Sequence, residues 1–174
     1  MRDGFDVIGS AKHRWTAPID LPYIMKKVKY VPFTDIPFYG GRYLYHRIYK
    51  LFSKEKRLAY WGPTLPEMES LLSKHSLLQI CALQWKACLN KSESDLSKIS
   101  KENVHSLRYE DFVSDPKEEF SKLAKFLGED VSETVLDKIT SKVSSKSIGK
   151  GRKEISKEEY QEIIPLIKDD LERL

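Results

Sequence analysis

The sequence predicts an α/β fold that is helix-rich as it stands. Three observations carry that expectation. Apolar residues recur at three- and four-residue steps in about five segments; one short run, Val104 to Tyr109, is too brief for a helix and reads as a buried strand; and 40% hydrophobic residues in 174 supply a core. A lone strand has no partner, so two architectures stay open: a mostly helical domain, or the C-terminal part of a larger α/β domain whose other strands lie before Met1. Residues 1–174 are expected to form a single domain.

The elements follow in order. From Asp3 a helix is expected, with Ile8, Ala11 and Trp15 on one face and Ser10 and Arg14 one turn apart on another, ended by Pro18 and Pro22. Residues 18–66 hold six of the eight prolines and many aromatics, among them Tyr23, Phe38, Tyr45 and Trp61. They read as an irregular excursion with one short helix around Arg42 to Phe52, either a lid over an acceptor site or a proline-rich packing loop. Ser76 caps a helix whose face is Leu78, Cys81, Ala82, Trp85, Cys88 and Leu89. After the strand, Ser114-Asp115-Pro116 opens a helix carrying Phe120, Leu123, Ala124 and Leu127, which Gly128 stops. Ser132 caps a helix with Val135, Leu136, Ile139 and Val143, and a capping box, Ser156 with Glu159, starts the last one.

Composition excludes more than it names. A net charge of +4 is too small to imply a nucleic-acid or membrane role, so any basic site must come from local clustering. Cys81 and Cys88 lie seven residues apart, matching neither a C-x-x-C pair nor a zinc spacing, and both are expected to be buried reduced thiols. His13, His46, His75 and His105 have no metal spacing, so no metal is expected. No apolar run reaches the roughly 18 residues of a membrane span, and the first residues lack a signal peptide's apolar stretch; a cytoplasmic location is expected.

Three clusters carry chemistry. Arg2, then the turn Asp3-Gly4, then Ser10 and Arg14 on a helix can surround one phosphate with charge-assisted bonds, unless Arg2 pairs with Asp6 and Ser10 is merely solvated. Arg108-Tyr109-Glu110-Asp111 ends the predicted strand, where Tyr109 is placed to touch a base or sugar and the two carboxylates form a buried pair or meet basic side chains. Residues 141–153 hold Lys142, Lys146, Lys150, Arg152 and Lys153 with no acidic residue. Gly149 and Gly151 allow close backbone approach there, giving either a nest of N–H groups and cations around a phosphate or a solvated basic loop.

In this order the three clusters resemble the C-terminal half of sulfotransferases that use 3′-phosphoadenosine 5′-phosphosulfate (PAPS). RDGFDVIGS is similar to that family's 3′-phosphate motif, which implies that Arg2 and Ser10 grip the 3′-phosphate, with Arg14 assisting. RYEDFVSDP resembles its strand-loop-helix motif, implying that Tyr109 contacts the adenine. SIGKGRKEIS is similar to its late phosphate loop, implying roles for Ser147, Gly149, Lys150 and Arg152, although Gly151 stands where tryptophan is common. The implied fold is a P-loop-like parallel sheet, and the implied reaction transfers a sulfuryl group from PAPS to a hydroxyl or amine of a small-molecule, saccharide or protein acceptor.

The family's 5′-phosphosulfate loop, of P-K-S-G-T or P-R-S-G-T type, and the His or Glu base after it have no counterpart in this sequence. The expectation is therefore a truncated domain with no catalytic residue of its own and little or no transferase activity. Two rival readings remain: a non-catalytic helical module whose basic loop docks an acidic partner or RNA, and a gene fragment that folds poorly.

Overall fold

Helix formation begins at Asp3, whose carboxylate accepts the Asp6 N–H at 3.1 Å and so caps α1 (Gly4–Thr16). The computed structural model describes residues 1–18, 21–53 and 56–173, with the side chains of Leu21 and Tyr23 also outside the description. Phe5, Ile8 and Trp15 give α1 a wholly buried face. That face packs on α5 (Leu77–Leu96), which in turn packs on α10 (Lys157–Glu172). Their shared core takes Leu78, Ile80, Cys81 and Trp85 from α5 and Ile163 and Ile167 from α10. Burying side chains of this size stabilises by about 1.5–3 kcal/mol each.

Helices α5 and α10 start at the residues the sequence predicts. Ser76 and Gln79 form a reciprocal capping box on α5, and Ser156 and Glu159 form one on α10. Gly128, at φ +77°, follows α7 (Pro116–Phe126), whose first turn is capped by Asp115. Helix α4 (Met68–Lys74) precedes α5, and between α5 and α10 the helices α6 (Tyr109–Ser114), α7 and α8 (Glu133–Thr140) pack as a second, smaller group.

Four expectations are corrected. The predicted strand is not one: among the described residues there is no strand, and Tyr109 opens α6. A strand needs a ladder, and what lies beside residues 104–108 is Met1. The Met1 amino group donates to the Leu107 carbonyl and the Tyr109 N–H donates to the Met1 carbonyl at 2.7 Å, the bond pattern of one parallel-sheet pair. The excursion at 18–66 is more helical than its prolines suggest, with α2 (Leu21–Val28), a 3₁₀ turn at Phe33–Asp35 and α3 (Ile36–Phe52); its residues 19, 20, 54 and 55 lie outside the described ones. Pro22 and Pro37 sit in the first turns of α2 and α3, where a missing N–H costs nothing. Cys88 is exposed: beyond Trp85 it is Leu89 that packs against the core, and position 88 falls outside that contact. Val143 falls beyond α8, which ends at Thr140.

The chain returns to α1 at a single helical turn, α9 (Lys150–Lys153). A Cβ on Gly9 would lie 2.5 Å from the Gly151 carbonyl oxygen, and one on Gly151 would lie 2.5 Å from that of Asp6. Only glycine at both positions lets the two backbones touch. Gly9→Ala is therefore expected to lower stability by about 1–3 kcal/mol in urea denaturation. Gly40→Ala, on α3 with open space around it, is expected to hold or raise stability by up to about 1 kcal/mol. Equal effects of the two substitutions would contradict the contact.

Candidate functional site

The site is built where three distant stretches of chain meet. Asp6, 1% exposed, sits in the first turn of α1 and accepts the backbone N–H groups of Gly149 at 2.7 Å, Gly151 at 2.8 Å and Arg152 at 3.3 Å. Those donors belong to the start of α9, so one carboxylate lies at the positive ends of two helices. It ties the basic 144–153 segment to α1. The second tie is Glu110, whose Oε1 accepts the Asp3 N–H at 2.9 Å and joins the start of α6 to the turn before α1.

These ties bring together three of the predicted residues. The Arg2 guanidinium lies 4.6 Å from the centroid of the Tyr109 ring, and the Tyr109 hydroxyl meets the Ser147 hydroxyl at 3.1 Å. A cation, a phenol and a hydroxyl from the beginning, middle and end of the chain thus share one surface. Arg2 Nε and Glu110 Oε2 are buried there with no hydrogen-bond partner among the described residues. An unpaired guanidinium donor is the feature an anion would satisfy. Arg2 does not pair with Asp6, whose oxygens are taken by the α9 backbone.

The remaining predicted residues lie around this centre. Ser10 is exposed, one helical turn beyond Asp6 and next to Gly9, hence on the face of α1 to which the 144–153 segment is tied. Gly149 turns the chain at φ +71° and gives its N–H to Asp6. Lys150 is exposed, and the Arg152 guanidinium rests 4.7 Å over the Phe5 ring. Arg14 lies a further turn along α1 and lines a different cavity, beside α2 and α3. The expected nest of N–H groups does form, but around the protein's own Asp6 carboxylate. What remains around Tyr109 is made of side chains, the Arg2 guanidinium, the Ser147 hydroxyl and the Glu110 carboxylate among them.

Asp6 and Glu110 are the two positioning residues that sequence reasoning did not single out for these roles. The signal for Asp6 was an acidic residue in the first turn of α1 facing a glycine pair in a cation-rich segment; its partners lie more than 140 residues away. Among the described residues no helix is long and apolar enough to cross a membrane, and no group of three or more His, Cys, Asp or Glu side chains is placed to hold a metal ion.

A family model described as a sulfotransferase domain matches residues 63–169, more than half of the chain. Comparison with curated proteins and with solved structures gives no match.

Removing the Asp6 charge tests how the site is held. Asp6→Asn is expected to cost about 1.5–3 kcal/mol, the range for hydrogen bonds to a charged group. It is also expected to speed amide hydrogen exchange at Gly149, Gly151 and Arg152 selectively. Unchanged protection at those three amides would contradict this role for Asp6.

Proposed function

The chain belongs to the sulfotransferase domain family, and from that membership we propose that it binds the 3′-phosphoadenosine part of PAPS for sulfuryl transfer to a hydroxyl or amine acceptor. The convergence of Arg2, Tyr109 and Ser147 carries this reading, because it supplies a guanidinium, an aromatic ring and a hydroxyl at one place. The residues fit the group. Arg2 Nε is a buried donor awaiting an acceptor, and Ser10 stands on the adjoining helix face as a second donor for the same 3′-phosphate. Arg2 covers one face of Tyr109, leaving the other face or the edge for adenine. Ser147, in the 3₁₀ turn Ser145–Ser147 before α9, adds a hydroxyl beside that of Tyr109. Lys150 and Arg152 contribute positive potential, and Gly149 supplies the turn that sets them in place.

In the transfer, an acceptor oxygen or nitrogen bonds to sulfur as the bond from sulfur to the 5′-phosphate oxygen breaks. The acceptor's proton goes to a base, and adenosine 3′,5′-bisphosphate leaves with the bond's electron pair. Arg2, Ser10, Tyr109 and Ser147 act on the nucleotide end: they bind it, orient it and offset its charge. The parallel register of Met1 beside residues 104–108 supports placing that segment at a strand position of a P-loop-like parallel sheet, with Tyr109 at its carboxyl end.

Calorimetry with adenosine 3′,5′-bisphosphate and with 5′-AMP tests the claim. The bisphosphate is expected to bind about tenfold or more tightly, since one charged contact contributes roughly 1.5–3 kcal/mol. Arg2→Ala is expected to remove most of that preference and Ser10→Ala part of it. Equal affinity for the two nucleotides in the unaltered chain would remove the 3′-phosphate reading.

A further inference from the structure

A cavity of about 530 Å³ opens between the C-terminal half of α1, α2 and α3. Its chemistry is one-sided. Ile24 and Val28 of α2 and the Trp61 side chain give it apolar walls, Arg14 and Arg47 bring two guanidinium groups, and no Asp or Glu lines it among the described residues. Two lining residues also hold buried donors without acceptors among the described residues: the Tyr43 hydroxyl and the Arg47 Nε–H. They are neighbours on α3, with the Arg47 guanidinium 4.9 Å from the Tyr43 ring centroid.

The walls are anchored, so the cavity is not a loose gap. The terminal nitrogens of Arg47 donate to the Ala17 and Pro18 carbonyls, which holds α3 against the end of α1 and leaves Nε as the uncommitted donor. The Leu58 N–H donates to the Trp15 carbonyl at 2.9 Å, and the Trp61 carbonyl accepts from Gln84 Nε2 at 2.9 Å. Donors and cations with no lining carboxylate among the described residues, set beside apolar walls, select a ligand with an apolar body and an anionic head. The volume admits a body of two or three fused rings. Arg14 stands one helical turn beyond Ser10, so the cavity adjoins the nucleotide site along α1.

We propose that this cavity is the acceptor pocket and that it takes an anionic amphiphile, whose carboxylate or sulfonate-like head is held by the Arg47 Nε–H and the Tyr43 hydroxyl. Naming it the acceptor pocket rests on the sulfuryl-transfer reading; the class of ligand rests on the cavity alone. An uncharged phenol of the same size lacks the head that these donors need.

The test measures binding of 6-hydroxy-2-naphthoate, 6-hydroxy-2-naphthalenesulfonate and 2-naphthol to the full chain by fluorescence titration, with and without adenosine 3′,5′-bisphosphate. One or both acids are expected to bind about tenfold or more tightly than 2-naphthol, and the stronger of the two identifies the head group. Tyr43→Phe and Arg47→Met are each expected to reduce that preference, and Val28→Trp, which fills the cavity, to weaken all three probes. Tyr43→Phe leaves the anchoring bonds of Arg47 in place, so it remains informative if Arg47→Met unfolds. Equal affinity for the acids and 2-naphthol, or an acid preference that survives both Tyr43→Phe and Val28→Trp, would overturn the proposal. Absence of bisphosphate binding alongside an intact acid preference would count against the nucleotide site while supporting an anionic amphiphile as the cavity's ligand.

Discussion

The buried Asp6 carboxylate is the constraint on which the site depends. Taking a carboxylate out of water costs several kcal/mol unless its oxygens are filled with good hydrogen bonds. Asp6 takes three backbone N–H donors from the start of α9. The bonds also require α9 to lie against α1 closely enough that neither Gly9 nor Gly151 has room for a side chain. Charge burial and backbone contact therefore support each other. With α9 fixed, Ser147 is fixed, and through Ser147 the Tyr109 hydroxyl.

The resulting arrangement is held by two kinds of contact. Two carboxylates, Asp6 and Glu110, hold backbone N–H groups and so tie the chain to itself, while Arg2 keeps a buried Nε–H with no acceptor among the described residues. A guanidinium resting on an aromatic ring, as Arg2 does on Tyr109, loses less freedom on binding an anion than an unsupported one. Preorganisation of this kind suits a phosphoryl-linked donor, where catalysis comes from positioning and offsetting charge more than from covalent chemistry by the protein. Helix α1 runs from this centre, past the exposed Ser10, to Arg14 at the cavity beside α2 and α3.

Local features were legible in the sequence because their partners lie within one turn. The capping boxes at Ser76 and Ser156, the Asp115 cap and the positive φ at Gly128 are decided by residues three or four positions apart. The convergence of Arg2, Tyr109 and Ser147 was legible only as a set of motifs in order, since nothing local brings them together. Asp6 was read as a possible partner for Arg2, and its true partners lie across the whole chain. Residues 104–108 carry a strand's composition, yet strand identity is a property of a ladder, and Met1 provides a single pair of bonds. Cys88 follows the apolar period of α5, but beyond Trp85 Leu89 packs against the core and Cys88 meets solvent, a division that periodicity does not mark. In α2 and α3, the prolines at first-turn positions looked like breakers and are starters.

The most direct measurement is the nitrogen-15 spectrum of the labelled chain, with the arginine Nε–H signals assigned, as adenosine 3′,5′-bisphosphate is added. The account predicts that the Arg2 Nε–H, silent toward any protein acceptor before addition, moves together with the amides of Ser10, Tyr109 and Ser147 at one saturating concentration. Shifts scattered over surface lysines with the Arg2 Nε–H unmoved would contradict it.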